Sequence, residues 1–107
     1  MNDAAETIVV TNDASARTYE ATLNGEVAGT LIYEAAGDRV VLTHTIVEPS
    51  DREHGVGTAL VRAALDDVRR QGKTATVMCP FVTDFIAANP EYADLIDREH
   101  PGVPYRK

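Results

Sequence analysis

A chain of 107 residues has room for one hydrophobic core, and its single cysteine excludes an intramolecular disulfide and leaves no basis for a zinc–thiolate cluster. Seventeen Asp and Glu against ten Lys and Arg give a net charge of -7, the wrong sign for a protein that must neutralise the phosphates of a nucleic acid. The apolar share of 44% is that of an ordinary globular domain, and no stretch is apolar and long enough to span a bilayer.

The start, Met1 to Thr7, is polar and acidic and lacks the basic residues and apolar run of a secretory signal, so cytoplasmic residence is expected. Ile8 to Val10 reads as a short first strand, followed by a polar loop over Thr11 to Ala16. Thr18–Leu23 and Glu26–Tyr33 flank Asn24-Gly25, a dipeptide suited to a two-residue hairpin turn because both central residues take positive φ. A second turn at Ala36 to Arg39 leads into Val40–Val47, rich in β-branched residues.

The period then changes. Val56, Leu60, Ala63, Ala64, Leu65 and Val68 recur at helical spacing, with Arg62, Asp66, Asp67, Arg69 and Arg70 on the other face, which predicts a helix from about Gly55 to Gln71 ended by Gly72. Thr74–Met78 is a further strand. Two short helices, Val82–Ala88 and Glu91–Arg98, are separated by Asn89-Pro90, and the tail from His100 is irregular. One domain over 9–99 with terminal segments 1–8 and 100–107 accounts for this order. The sequence leaves the subunit number open, a monomer being the simplest expectation.

The chemistry-bearing unit lies between the strand ending at Val47 and the main helix. It reads Arg52-Glu53-His54-Gly55-Val56-Gly57-Thr58. A glycine-containing turn that opens a helix aims free backbone N–H groups at one point, where the helix dipole also favours negative charge. Gly55 and Gly57 allow close backbone approach to an anion, and Arg52 adds a cationic contact. A dinucleotide fingerprint would need glycine in place of Leu60 and an acidic residue near Val77; a nucleoside-triphosphate loop would need Lys then Ser or Thr where Thr58 and Ala59 stand. Both are excluded.

The segment Val47, Glu48, Pro49, then Arg52, Gly55 and Gly57 resembles the signature of the GNAT superfamily of N-acetyltransferases. The later run Cys79-Pro80-Phe81-Val82, Phe85, Ile86, Asn89-Pro90-Glu91-Tyr92 and Leu95 is similar to the compact YjdJ-like branch of that superfamily. The resemblance implies a small α+β, GNAT-like fold: a mostly antiparallel twisted sheet with splayed strands, one main helix after the pyrophosphate turn and two short C-terminal helices. It also implies acetyl-coenzyme A as co-substrate and a primary amine as acceptor; the net charge and the lack of a long apolar stretch separately argue against a nucleic acid or membrane partner. The pantetheine arm would lie along Ile46 and Val47, and the pyrophosphate on the N–H groups of Glu53, His54, Gly55, Val56, Gly57 and Thr58. Larger members carry two helices between the first two strands, and here only Thr11 to Ala16 stands in that place.

Cys79, at the end of the later strand, is a nucleophile, a proton relay or a packed thiol. His44 is either the base that accepts the amine proton or a histidine bonded within the sheet, and strict alternation would put it on the face of Leu42 and Ile46. Tyr92, Phe81, Phe85 and Leu95 are expected to pack between the last helices. Two functions follow: an N-acetyltransferase acting by direct attack in a ternary complex, or a coenzyme A-binding module with little turnover.

Overall fold

The computed structural model describes residues 7–102. Five strands, β1 (Ile8–Asp13), β2 (Thr18–Leu23), β3 (Glu26–Ala36), β4 (Arg39–Val47) and β5 (Thr74–Val77), form one sheet in sequence order. The first three pairings are antiparallel and β4–β5 is parallel. Helix α1 (Val56–Arg70) lies between β4 and β5 in the chain, and α2 (Pro80–Ala88) follows β5. Short 3₁₀ helices occupy Pro49–His54 and Pro90–Leu95. This is the small GNAT-like α+β arrangement that the resemblance implies.

Local chemistry accounts for most boundaries. Asn24 (φ 52°) and Gly25 (φ 91°) both take positive φ, so the tight hairpin forms as their types require. β1 runs on to Asp13, beyond the predicted Val10, because Thr11, Asn12 and Asp13 pair with Glu20, Tyr19 and Thr18. Only four residues, 14–17, then connect β1 to β2, and no helix stands between them. α2 begins at Pro80 rather than Val82, since proline is favoured at the first helical position, where no N–H is needed. The last predicted helix is instead a 3₁₀ helix that stops at Leu95; Ile96 is extended and bridges Ala75.

Of the expected terminal segments, residues 1–6 and 103–107 lie outside the described residues. Ile8 belongs to β1, and the chain after Ile96 runs along β5. There Val77 donates its N–H to the Pro101 carbonyl at 3.0 Å, and Thr76 donates its hydroxyl to the His100 carbonyl at 2.6 Å. The Thr74 hydroxyl, helped by the backbone N–H groups of Glu99 and His100, holds the Asp97 carboxyl below its ordinary range.

The core sits between α1 and one face of the sheet. Val56, Leu60, Val61, Ala64, Leu65 and Val68 form its helical side, and Tyr19, Ala21, Leu31, Leu42, Ala75 and Val77 its sheet side. Gly29 sets the depth of contact. A Cβ on it would lie 2.9 Å from the Ile46 carbonyl oxygen and 3.0 and 3.1 Å from the side chains of Val56 and Leu60, so the first turns of α1 rest on bare backbone. At the other end Asp67 of α1 accepts the Tyr19 hydroxyl at 2.6 Å and the Gln71 amide at 2.8 Å. Burial, reinforced by that carboxylate, pushes the Tyr19 phenol well up. The sheet's opposite face carries the exposed side chains of Val9, Val27, His44 and Ile46.

Candidate acyl-transfer site

The site is built where β4 outruns β5. Pairing between them ends at Leu42 opposite Val77, followed by the Met78 N–H on the Leu42 carbonyl at 2.9 Å. Thr43 to Val47 continue with β3 on one side and, among the described residues, no strand on the other. The chain then tightens into the 3₁₀ helix Pro49–His54, reverses at Gly55 (φ 79°) and enters α1. The two glycines therefore have different jobs. Gly55 supplies a left-handed backbone in open space, whereas a Cβ on Gly57 would fall 2.9 Å from the Phe81 ring and 3.6 Å from Val47.

Helix α1 starts without a side-chain cap. The Ala59 N–H is bonded to the Gly55 carbonyl at 3.0 Å, which leaves the N–H groups of Val56, Gly57 and Thr58 without an acceptor inside the helix. Beside them lies a cavity of about 570 Å³ lined by Thr45, Ile46, Val47, Arg52, Gly55, Gly57, Thr58 and Phe81. Its volume is within the ordinary ligand-pocket range of about 300–1,000 Å³. Arg52 is exposed and folds back so that Nε lies 3.4 Å from the Val47 carbonyl oxygen. The N–H groups without an acceptor inside α1 and the cation, with Ile46, Val47 and Phe81 beside them, suit an extended anionic ligand with an apolar arm. Val56 is fully buried and offers only its backbone; His54 is exposed and Glu53 contributes backbone to the 3₁₀ helix.

Cys79 and His44 are not brought together. Cys79 is only 6% exposed and is not among the cavity-lining residues; its Sγ sits 3.4 Å from Oγ1 of Thr45, which does line the cavity. His44 is exposed on the opposite face. The expectation that it shares a face with Leu42 fails because Ile32 pairs with His44 while Tyr33 pairs with Leu42, so Thr43 is an extra, bulged residue. Past the bulge Thr45 takes the inward place opposite buried Leu31, and His44 turns outward opposite Ile32.

Two lining residues went unassigned in the sequence. Thr45 was hidden by the bulge. Phe81 was expected to pack between the last helices, yet it is 43% exposed and reaches across to Gly57; its place beside Pro80, in the first turn of a helix that opens at the site, is the signal that could have found it. Tyr92, Phe85 and Leu95 do pack as expected. The Tyr92 hydroxyl donates to Asp66 at 2.8 Å, and burial pushes its phenol up, so it is held protonated away from the cavity.

A family model described as GCN5-related N-acetyl-transferase matches residues 18–95. Protein NATD1 of Bos taurus is 36% identical over 85 residues, covering 78% of this chain and 75% of that protein, and Protein NATD1 of Homo sapiens is 34% identical over 85 residues. Among solved structures, the ribosomal-protein-S18-alanine N-acetyltransferase from Escherichia coli superposes with a TM-score of 0.55 at 25% identity, over 77% of this chain and 56% of that one. Ard1 from Thermoplasma volcanium shares the fold with a TM-score of 0.53 at 24% identity, over 73% of this chain and 53% of that one. The chain thus spans little more than half the length of these two solved proteins.

Proposed function

Since the chain belongs to the GCN5-related N-acetyltransferase family, we propose that it transfers an acetyl group from acetyl-coenzyme A to a primary amine by direct attack. The observation that carries this reading is the start of α1, where the N–H groups of Val56, Gly57 and Thr58 have no acceptor within the helix, beside a cavity that Gly55, Gly57 and Thr58 share with Thr45, Ile46 and Val47 at the end of β4. In this reading the backbone of Glu53 to Thr58 receives the pyrophosphate, Arg52 adds charge, and Ile46 and Val47 flank the pantetheine arm. The short β1–β2 connection supports the compact YjdJ-like branch, and cytoplasmic residence belongs to the same proposal.

Acetyl-coenzyme A supplies an activated acyl group: the new C–N bond forms as the C–S bond breaks, one proton leaves the amine and one joins the thiolate. The bulge turns His44 to the face opposite Thr45, so in this reading the amine proton passes to solvent water rather than to that imidazole. Cys79 stays out of the covalent path, because its sulfur is buried behind Thr45. Wild-type protein incubated with acetyl-coenzyme A and no acceptor should therefore keep its intact mass; one added acetyl, mapped to Cys79 and chased onto an amine, would replace direct attack by an acyl-enzyme route.

A panel of amines followed for free-thiol release tests the activity. Release above the protein-free background is expected with at least one amine. Tight coenzyme A binding with no release would favour a binding module, the second reading, which rests on the missing helices between β1 and β2. Arg52→Ala should weaken coenzyme A by about fivefold to tenfold, as expected for one exposed charge-assisted contact, and should leave a dephosphorylated pantetheine fragment nearly unaffected. Equal losses by calorimetry would remove Arg52 from the phosphate end.

A further inference from the structure

Along β4 the cavity-lining residues run Val47, Ile46, Thr45, away from the α1 N-terminus and towards the point where β5 closes in. Thr45 is the last of them. Behind it the space is filled by Cys79, 6% exposed, whose Sγ meets Oγ1 of Thr45 at 3.4 Å. This contact ties the free end of β4 to the second residue after β5, which stands at the N-cap position of α2. A thiol and a hydroxyl with a methyl beside it make a floor that is small, nearly apolar and fixed by flanking strand and helix. Leu42 and Val77, where β4 and β5 last pair, are both buried.

We infer that Thr45 and Cys79 gauge the length of the acyl chain the cavity accepts, limiting it to acetyl and disfavouring longer chains. The inference rests on the coenzyme A reading above: with the phosphates at the α1 end, the acyl end reaches Thr45. The hydroxyl–thiol contact holds the two side chains in register, and their volume sets the stop. Thr45→Ala removes a hydroxyl and a methyl from the cavity wall and deepens the floor directly, and Cys79→Ala removes the sulfur behind Thr45, into whose space the threonine side chain can be displaced by a longer chain. Thr45→Val keeps the volume and removes the hydroxyl.

The test measures the affinities of coenzyme A, acetyl-coenzyme A and butyryl-coenzyme A by calorimetry, so that it reads the floor without requiring turnover. Wild type should bind acetyl-coenzyme A more tightly than butyryl-coenzyme A. Thr45→Ala and Cys79→Ala should each shift the butyryl-to-acetyl affinity ratio towards butyryl by about tenfold, the low end of what one methylene is worth in a shaped apolar pocket. Thr45→Val should leave the ratio within about twofold of wild type, because it removes no side-chain volume and so opens no cavity at the floor. Retained affinity for free coenzyme A shows that each variant is folded at the site. An unchanged ratio in both alanine variants, with coenzyme A still bound, overturns the gauge alone. Failure of wild type to bind coenzyme A overturns the cofactor reading and the gauge with it.

Discussion

Gly57→Asp should lower coenzyme A affinity by more than about a hundredfold while the far-ultraviolet circular dichroism spectrum stays native. Position 57 is the second residue of α1, where a carboxylate interacts well with the helix dipole, so the helix itself should tolerate the change or gain from it. The same carboxylate would stand beside the N–H groups that have no acceptor within α1, where the anion is proposed to bind. Two unit charges about 4 Å apart at an effective dielectric of about 20 repel by about 4 kcal/mol, more than the roughly 2.8 kcal/mol that a hundredfold represents. The new Cβ would also meet the Phe81 ring at 2.9 Å, but the contact is with the far end of a half-exposed side chain that can swing aside. Gly57→Ala separates the two effects, and should cost much less affinity than Gly57→Asp. Equal losses in the two variants would make the defect steric; no loss in either would remove α1 from the phosphate site.

The second large effect is on stability. Leu60→Ala should destabilise the protein by about 2–5 kcal/mol, because Leu60 is fully buried and its removal leaves a cavity between α1 and β3. Against a total of about 5–15 kcal/mol for a domain, that is a large fraction. Gly29→Ala should cost about 1–3 kcal/mol from the opposite error, overpacking, since its Cβ would press on the Ile46 carbonyl, Val56 and Leu60. The double variant Gly29→Ala/Leu60→Ala should then cost less than the two single changes together, because the added methyl enters space the leucine vacates. Urea denaturation of the four proteins measures the coupling, and strict additivity would mean that α1 does not rest on Gly29.

The elements that the sequence specified well are those whose signals are local. Asn24-Gly25 dictates its own turn, because the two residues tolerate the backbone angles the turn requires wherever they occur. The stripe from Val56 to Val68 determines α1 and its buried face, since helical spacing aligns those side chains without reference to the rest of the chain. The Arg52 to Thr58 turn is legible for the same reason: its glycines and the helix that follows create their donors within seven residues. Tertiary structure decided the rest. Whether His44 or Thr45 faces inward depends on a bulge at Thr43, and a bulge exists only relative to a partner strand, here Ile32 and Tyr33 of β3. Phe81 became a cavity wall because α2 opens beside α1 and Gly57 leaves room for its ring, two facts 24 positions apart in the chain. Gly29 reads as an ordinary strand residue until α1 comes down on it. The local chemistry therefore located the proposed anion-binding end of the site, whereas the proposed acyl end, made where β4, β5 and α2 meet, is a product of non-local register and packing, on which short-range propensity has no hold.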